Sequence, residues 1–139
     1  MSRILLDTSA YSAYIAGHTD LQEPVRHASI VHLSVVAMGE LLAGFLKGGR
    51  RSQNETRLRE FVAEPRVRVL HVDDETAVRY AAIRDYLRRQ GTPVPVNDVW
   101  IAATAAQHGL RLLTLDSHFL QIPQVIVDFI EPNRPGPAA

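Results

Sequence analysis

Residues 3–9 read RILLDTS, a short apolar run that ends in an acid and two hydroxyl side chains. A second run of the same kind, RLLTLDSH, occupies residues 111–118. Short continuous apolar runs are typical of strands that are buried on both faces of a parallel sheet. Ligands of such sheets bind beyond the carboxyl ends of the strands. The two runs therefore predict a parallel sheet with Asp7 and Asp116 at its ligand-binding edge.

The rest of the chain alternates between strand-like and helical patterns. Strand-like runs lie at 3–7, 30–35, 67–72, 111–115 and 125–129. Helical periodicity lies between them, at about 9–16, 20–28, 35–47, 52–63, 75–90 and 98–108. This alternation predicts an α/β fold with a mainly parallel central sheet, which we expect to form a three-layer α/β/α sandwich.

Length and composition favour one globular domain. The 139 residues are enough to bury a substantial core. We expect a single domain over residues 1–131, followed by a proline-rich tail at 132–139 that has little to pack. No apolar stretch is long enough to span a membrane, and the N-terminus does not resemble a secretory signal. The chain has no cysteine, which excludes disulfides and thiolate metal sites and agrees with a cytoplasmic location.

Four acids lie at the edges of apolar segments: Asp7, Glu40, Asp98 and Asp116. Taken singly, Asp7 and Asp116 are well explained as turn residues, and Asp98 as an acid near the positive end of a helix. Together on one edge, however, four acids would repel one another strongly unless a divalent cation lay between them. The constellation therefore predicts a Mg²⁺ or Mn²⁺ site and, as its chemistry, the hydrolysis of phosphodiester bonds.

Hydroxyl side chains flank two of these acids: Thr8, Ser9, Thr114 and Ser117. They are candidates to hydrogen-bond the carboxylates or a metal-bound water and so to hold the ligands in position. Serine and threonine are also common at the ends of strands and helices simply because they cap them. Both explanations remain open at the level of sequence.

The formal net charge of zero conceals an uneven distribution. Residues 47–89 contain eleven of the fifteen Lys and Arg residues but only seven of the fifteen acids. A basic segment beside an acidic site would guide a phosphate backbone toward a metal, with Arg50, Arg51, Arg57 and Arg59 as candidate contacts. The alternative is a solvated helical surface that is rich in Arg–Glu pairs.

In combination these motifs resemble the PIN-domain ribonucleases. The matching segments are DTS at 7–9, EL at 40–41 with Gly44 after it, ND at 97–98 before IAA at 101–103, and LTLDSHF at 113–119. They occur in the same order and at family-like spacing from residue 3 to about residue 130. Within the family, the chain resembles the VapC toxins of bacterial toxin–antitoxin pairs. His118 is a departure, because many relatives carry a further acid at that position, and it leaves the number of metal ions open.

The resemblance implies a Mg²⁺- or Mn²⁺-dependent endoribonuclease that acts as a toxin. Attack by metal-activated water would leave a 5′-phosphate and a 3′-hydroxyl. The implied partners are an RNA substrate, a second copy of the chain, and a cognate antitoxin that could place an arginine among the acids. The implied catalytic and metal-binding residues are Asp7, Glu40, Asp98 and Asp116, supported by Thr8, Ser9, Thr114, Ser117 and His118.

Three other interpretations are less well supported. A metal-free ribonuclease would use a pair of histidines, but the six histidines of the chain show no paired spacing. Phosphoryl transfer through an aspartyl-phosphate on Asp7 would call for a second acid where Ser9 stands, or for a lysine better placed than Lys47. The remaining alternative is a non-catalytic PIN-like module with a degenerate metal site, which acts through RNA or protein contacts alone.

Overall fold

The structure, a computed structural model, describes residues 2–132. Residues 133–139 of the predicted tail therefore lie outside the described part. Within residues 2–132, no helix is both long enough and apolar enough to cross a membrane. The strands are β1 (Arg3–Leu6), β2 (Ile30–Ser34), β3 (Val67–Leu70), β4 (Arg111–Thr114) and β5 (Ile126–Phe129). The α-helices are α1 (Thr8–Ile15), α2 (Thr19–His27), α3 (Val35–Lys47), α4 (Arg51–Ala63), α5 (Asp74–Gln90) and α6 (Val96–His108).

The predicted strands and helices are all present, with bounds that differ by no more than two residues. One difference concerns the site: α6 begins at Val96 rather than at 98, because Pro95 takes the N-cap position. Asp98 therefore lies inside the first turn of α6 instead of opening the helix. A short 3₁₀ helix, Ser117–Gln121, follows β4 and was not predicted.

The five strands form one sheet in the order β3-β2-β1-β4-β5, and every pair is parallel. The α/β fold predicted from the alternating pattern is thus confirmed, and the sheet is wholly rather than mainly parallel within residues 2–132. The chain extends from β1 outward to β3 on one side and then returns to build β4 and β5 on the other. The order of strands therefore reverses beside β1, which is where open α/β sheets bind their ligands.

The core is centred on β1 and α6. Ile4, Leu5 and Leu6 of β1 are buried, as a central strand covered on both faces requires. The buried side of α6 is rich in small residues, including Ala102 and Ala105, which allow close packing against its neighbours. This packing holds α6, which carries Asp98 in its first turn, against the sheet.

Capping residues bound α3 and α5. The Ser34 hydroxyl accepts a hydrogen bond from the Val36 N–H (3.0 Å) at the start of α3. Asp73 and Thr76 form a reciprocal capping box at the start of α5. Gly91 ends α5 with a φ of 68°, a left-handed conformation that glycine adopts without strain. These caps set the start of α3 and both ends of α5.

The sequence of the 75–90 segment leaves open whether Tyr80, Ile83 and Leu87 belong to the core or to an interface. Ile83 and Leu87 are buried in the core. Tyr80 is partly buried and stacks on Trp100, with ring centroids 3.8 Å apart. The two aliphatic residues therefore belong to the core, and Tyr80 joins α5 to α6.

Candidate metal centre

The candidate site lies at the carboxyl ends of β1 and β4, which are neighbours in the sheet. Asp7 directly follows β1, and Asp116 comes two residues after β4. α3, which follows β2, brings Glu40 to the same edge, and the first turn of α6 brings Asp98. The parallel topology thus explains why acids that are far apart in sequence meet here.

Asp7 is the most deeply buried of the four acids, with 3% of its surface exposed. Its carboxylate accepts hydrogen bonds from the Thr114 hydroxyl (2.6 Å), the Ser9 hydroxyl (2.8 Å) and the backbone N–H of Ala10 (2.8 Å). The last bond caps α1. Burial raises the pKa of Asp7 above its ordinary value, and the three hydrogen bonds offset part of that rise. The result is a carboxylate held in one orientation.

Glu40 is oriented by two side chains from other elements. The Thr8 hydroxyl donates to one of its oxygens (2.6 Å), and the Asn97 amide donates to the other (3.3 Å). Thr8 was expected to support the site, whereas Asn97 was not among the expected site residues. Its position directly before Asp98 was the available signal, but the sequence alone does not show that it reaches Glu40. The two donors fix Glu40 between α1 and α6.

Asp98, Asp116 and His118 form the closest group. Nδ1 of His118 lies 2.9 Å from Oδ1 of Asp116 and 3.6 Å from Oδ2 of Asp98. Each of the three residues offers one potential ligand atom, and these atoms lie within 4.8 Å of one another. Asp116 also caps the 3₁₀ helix by accepting from the His118 N–H (2.9 Å). His118 is therefore part of the cluster rather than only its neighbour in sequence.

The negative charges are coupled. The pKa of Asp98 rises to about 7, mainly because the group is buried and further because Asp116, Glu40 and Asp7 repel its charged form. The nearby His118 lowers the pKa of Asp98. Asp98 is only 14% exposed, so water screens these charges weakly. The site is therefore strained by its own charge when no cation is present.

The predicted hydroxyl residues differ in their contacts with the acids. Ser9 and Thr114 link Asp7 to the segment that carries Asp116. The Ser9 hydroxyl also accepts from the Leu115 N–H (3.0 Å), and the Thr114 hydroxyl accepts from the Asp116 N–H (2.9 Å). Ser117 is exposed, and within residues 2–132 its hydroxyl makes no hydrogen bond to any of the four acids. Its supporting role stays a prediction.

The four candidate RNA-contacting arginines are all exposed on or beside α4. Arg51 pairs with Glu55 in its own helix (3.3 Å), and Arg59 donates to Thr56 (3.2 Å). The charge of Arg57 acts on Tyr11, a buried residue of α1, one turn beyond the cap at Asp7. Arg57 thus lies on the side of α4 that faces α1.

Three of the other histidines have hydrogen-bond or ion-pair partners outside the group of four acids. His18 accepts from the Asp20 N–H at the start of α2 (3.2 Å), and His27 pairs with Glu23 on the surface (2.9 Å). His32 is buried in β2 against the Ile4 carbonyl (3.1 Å), and burial lowers its pKa. These three histidines do not form the pair that a metal-free ribonuclease would use, as expected from their spacing in the sequence.

The donor set fits a hard divalent cation. The four acids supply carboxylate oxygens, which such ions prefer as ligands. Within residues 2–132, no lysine or arginine forms an ion pair with any of the four. A cation would relieve the repulsion that raises the pKa of Asp98. The acidic cluster is therefore compatible with a divalent metal ion.

Comparison with known proteins agrees with this geometry. The PIN domain family model matches residues 4–125. The chain is 35% identical over 126 residues to Ribonuclease VapC4 of Mycobacterium tuberculosis, an alignment that covers 90% of this chain and 95% of that protein.

Two solved structures show the same fold. One is a DNA-bound VapBC from Salmonella typhimurium (TM-score 0.82, 27% identity, 93% of this chain and 98% of that chain covered). The other is VapBC-5 from Mycobacterium tuberculosis, a member of the VapBC family of toxin–antitoxin systems (TM-score 0.75, 31% identity, 94% and 100% covered). The family match, the sequence identity to a VapC ribonuclease and the shared fold lead to one conclusion: the chain belongs to the PIN domain family, among its VapC-type members.

Proposed function

We propose that this protein is the toxin of a toxin–antitoxin pair and that it is an endoribonuclease dependent on Mg²⁺ or Mn²⁺. The observation that carries the proposal is the convergence of Asp7, Glu40, Asp98 and Asp116 on one edge of the sheet, without a lysine or arginine to balance them among the described residues. The similarity to proteins that are named as VapC ribonucleases and solved as toxin–antitoxin complexes supports it.

The side chains of the site have different roles in this proposal. A divalent ion held by the acids would neutralise their charge, activate water and stabilise the leaving oxygen. Asp7 is fixed by three donors, and Glu40 by Thr8 and Asn97, so neither carboxylate can turn away from the crevice. The side chains of Asp98 and Asp116 are 14% and 33% exposed, so both would be accessible to an approaching phosphate. Ionised carboxylates repel a phosphate, so the bare site does not accept RNA.

Hydrolysis by water distinguishes this chemistry from that of a metal-free ribonuclease. The 2′-hydroxyl of the ribose is not the nucleophile, so the products should be a 5′-phosphate and a 3′-hydroxyl. The test is to incubate metal-free protein, freed of antitoxin, with structured RNAs in EDTA and then in Mn²⁺ or Mg²⁺. A substrate with a 2′-O-methyl group at the cleaved position should still be cut. Cleavage in EDTA, or products with a 2′,3′-cyclic phosphate, would contradict the proposal.

Metal affinity should rise with pH. A metal ion requires the ionised form of Asp98, whose pKa is about 7 in the metal-free protein. Raising the pH from about 6 to about 8 should therefore strengthen Mn²⁺ binding by roughly tenfold, with release of up to one proton. Calorimetry in buffers of different ionisation enthalpy measures both quantities. An affinity that does not change with pH would contradict the titration of a metal-binding Asp98 in this range.

The arginines of α4 should contribute to RNA affinity without affecting the chemistry. The test replaces Arg57 and Arg59 with Gln in a cleavage-deficient Asp98→Asn background. The slope of log K for RNA binding against log salt concentration should become less steep, by about 0.7 for each phosphate of a single strand that is no longer neutralised. Fluorescence anisotropy across a salt series measures the slope. The matched control replaces Arg88 and Arg89, which lie at the end of α5 and pair there with Asp85. Equal slopes for the two double variants would show that these α4 arginines are not part of the RNA-binding surface.

The proposal includes partners as well as a substrate. We place the protein in the cytoplasm, where it would meet RNA, and expect it to form a homodimer and to be silenced by a cognate antitoxin. An arginine of the antitoxin would suit the unbalanced acids by forming charge-assisted hydrogen bonds with them. Mutating every arginine in the inhibitory segment of the antitoxin should abolish inhibition. Inhibition that survives this change would rule out arginine insertion.

A further inference from the structure

The position of His118 is fixed by the fold although its side chain is 48% exposed. Its backbone N–H donates to Asp116 in the 3₁₀ helix that follows β4. The next residue, Phe119, is completely buried and anchors that helix in the core. The imidazole is thereby placed over the two aspartates, at 2.9 Å from Asp116 and 3.6 Å from Asp98.

The separations between donor atoms suit a shared cation. In an octahedral site with bonds of about 2.1 Å, neighbouring ligand atoms lie roughly 3 Å apart. The observed 2.9 Å and 3.6 Å are close to that separation, and all three atoms lie within 4.8 Å of one another. The same Nδ1 atom faces the carboxylates of both Asp116 and Asp98. If the imidazole served only to orient Asp116, a contact with the Asp116 carboxylate would be enough. Nδ1 of His27 lies at the same 2.9 Å from one oxygen of Glu23, which is an example of such a simple pair.

We propose that His118 is a metal ligand that joins Asp98 and Asp116 through Nδ1, and that this nitrogen makes the centre prefer Mn²⁺ over Mg²⁺. The inference rests on the proposed metal-dependent function and specifies the ion for that same site. Mg²⁺ strongly favours oxygen ligands, whereas imidazole is a good ligand for transition-metal ions. A neutral imidazole also adds no negative charge to a cluster in which the acids already repel one another.

The direct test is pulsed electron paramagnetic resonance of the full-length, metal-free protein loaded with Mn²⁺. A coordinated imidazole should give a ¹⁴N coupling that is absent from the His118→Ala variant. The matched control is His27→Ala, which removes an imidazole from a carboxylate pair of the same length on α2 and should leave the coupling unchanged. Circular dichroism confirms that the variants are folded.

Binding affinities provide a second readout that does not depend on activity. His118→Ala should weaken Mn²⁺ binding by at least about tenfold and Mg²⁺ binding by less, since a ligand should matter no less than the supporting residues of a metal site. His118→Asp replaces nitrogen with oxygen and should lower the ratio of Mn²⁺ to Mg²⁺ affinity. Calorimetry with each ion measures both ratios.

The outcomes separate this inference from the proposed function. A ¹⁴N coupling that disappears in His118→Ala, together with the shifted affinity ratio, supports the ligand role. Mn²⁺ binding without that coupling overturns the role of His118 and leaves a metal-dependent nuclease in place. The absence of any binding of Mn²⁺ or Mg²⁺ to the wild-type protein overturns both.

Discussion

Replacing Asp98 with Asn is expected to abolish RNA cleavage and, at the same time, to stabilise the metal-free protein. The substitution keeps the shape of the side chain but removes the charge of one ligand. If the lost interaction is worth about 4 kcal/mol in the transition state, the cleavage rate falls by roughly a thousandfold. The measurement is single-turnover cleavage of RNA with saturating Mn²⁺.

The stability effect has the opposite sign because the site is strained by its own charge. Folding raises the pKa of Asp98 from 3.8 to about 7, so the folded state holds its proton more tightly than the unfolded state does. This contribution favours folding below about pH 4 and is lost as the pH rises through about 7. At pH 8, Asp98→Asn should therefore increase the free energy of unfolding by up to about 4 kcal/mol. Urea denaturation in EDTA measures the difference.

Asp74→Asn is the matched control, because Asp74 is also an acid in the first turn of a helix but lies on the surface. It should leave the cleavage rate unchanged and should not stabilise the metal-free protein at pH 8. A variant at Asp98 that cleaves normally would remove this residue from the catalytic centre. An Asp98→Asn variant that is less stable than the wild type in EDTA at pH 8 would contradict the conclusion that the ionised Asp98 destabilises the metal-free protein.

Replacing Thr114 with Val is expected to destabilise the fold, and more strongly at high pH. The Thr114 hydroxyl donates to the buried carboxylate of Asp7 and accepts from the Asp116 N–H. Valine has the same shape without the hydroxyl, so both groups lose a partner at a cost of about 1–3 kcal/mol. The bond from Thr114 lowers the pKa of Asp7, so its loss raises that pKa further. The cost should then grow with pH as Asp7 ionises.

Thr104→Val separates this effect from the general cost of removing a buried hydroxyl. Thr104 is also fully buried, but its hydroxyl donates only to the Trp100 carbonyl within α6 (2.9 Å). That backbone group already accepts in the helix, so the loss should be small and independent of pH. Urea denaturation at about pH 5 and about pH 8 tests both variants. Equal losses for the two threonines would mean that Thr114 does not support an ionised Asp7.

The parts of this fold that follow from the sequence are those governed by local pattern. The run RILL at 3–6 is apolar at every position but its first, which matches the central strand that it forms. The edge position of Asp7 and Asp116 follows from parallel strands, whose carboxyl ends share one side of the sheet. The helix at 75–90 could be bounded from both ends, because Asp73 and Gly91 are strong capping residues.

The parts that did not follow depend on contacts between distant elements. The bond from Asn97 to Glu40 joins residues that are 57 apart in sequence and requires α3 and α6 to pack side by side. The position of His118 over two aspartates depends on a 3₁₀ helix that has no periodic signature of its own. Ser117 directly follows Asp116 and is exposed, so adjacency in sequence does not by itself show which side chains orient the acids.

The strand order has a consequence for the synthesis of the protein. β1 is made first but lies in the middle of the sheet, and its neighbour β4 begins only at Arg111. A growing chain on the ribosome cannot fix Asp7 against Thr114, or bring Asp98 beside Asp116, until most of residues 2–132 exist. Pairing over such distances is also slow to form. The acidic cluster that the proposed activity needs can therefore form only late in synthesis, after β4 has been made.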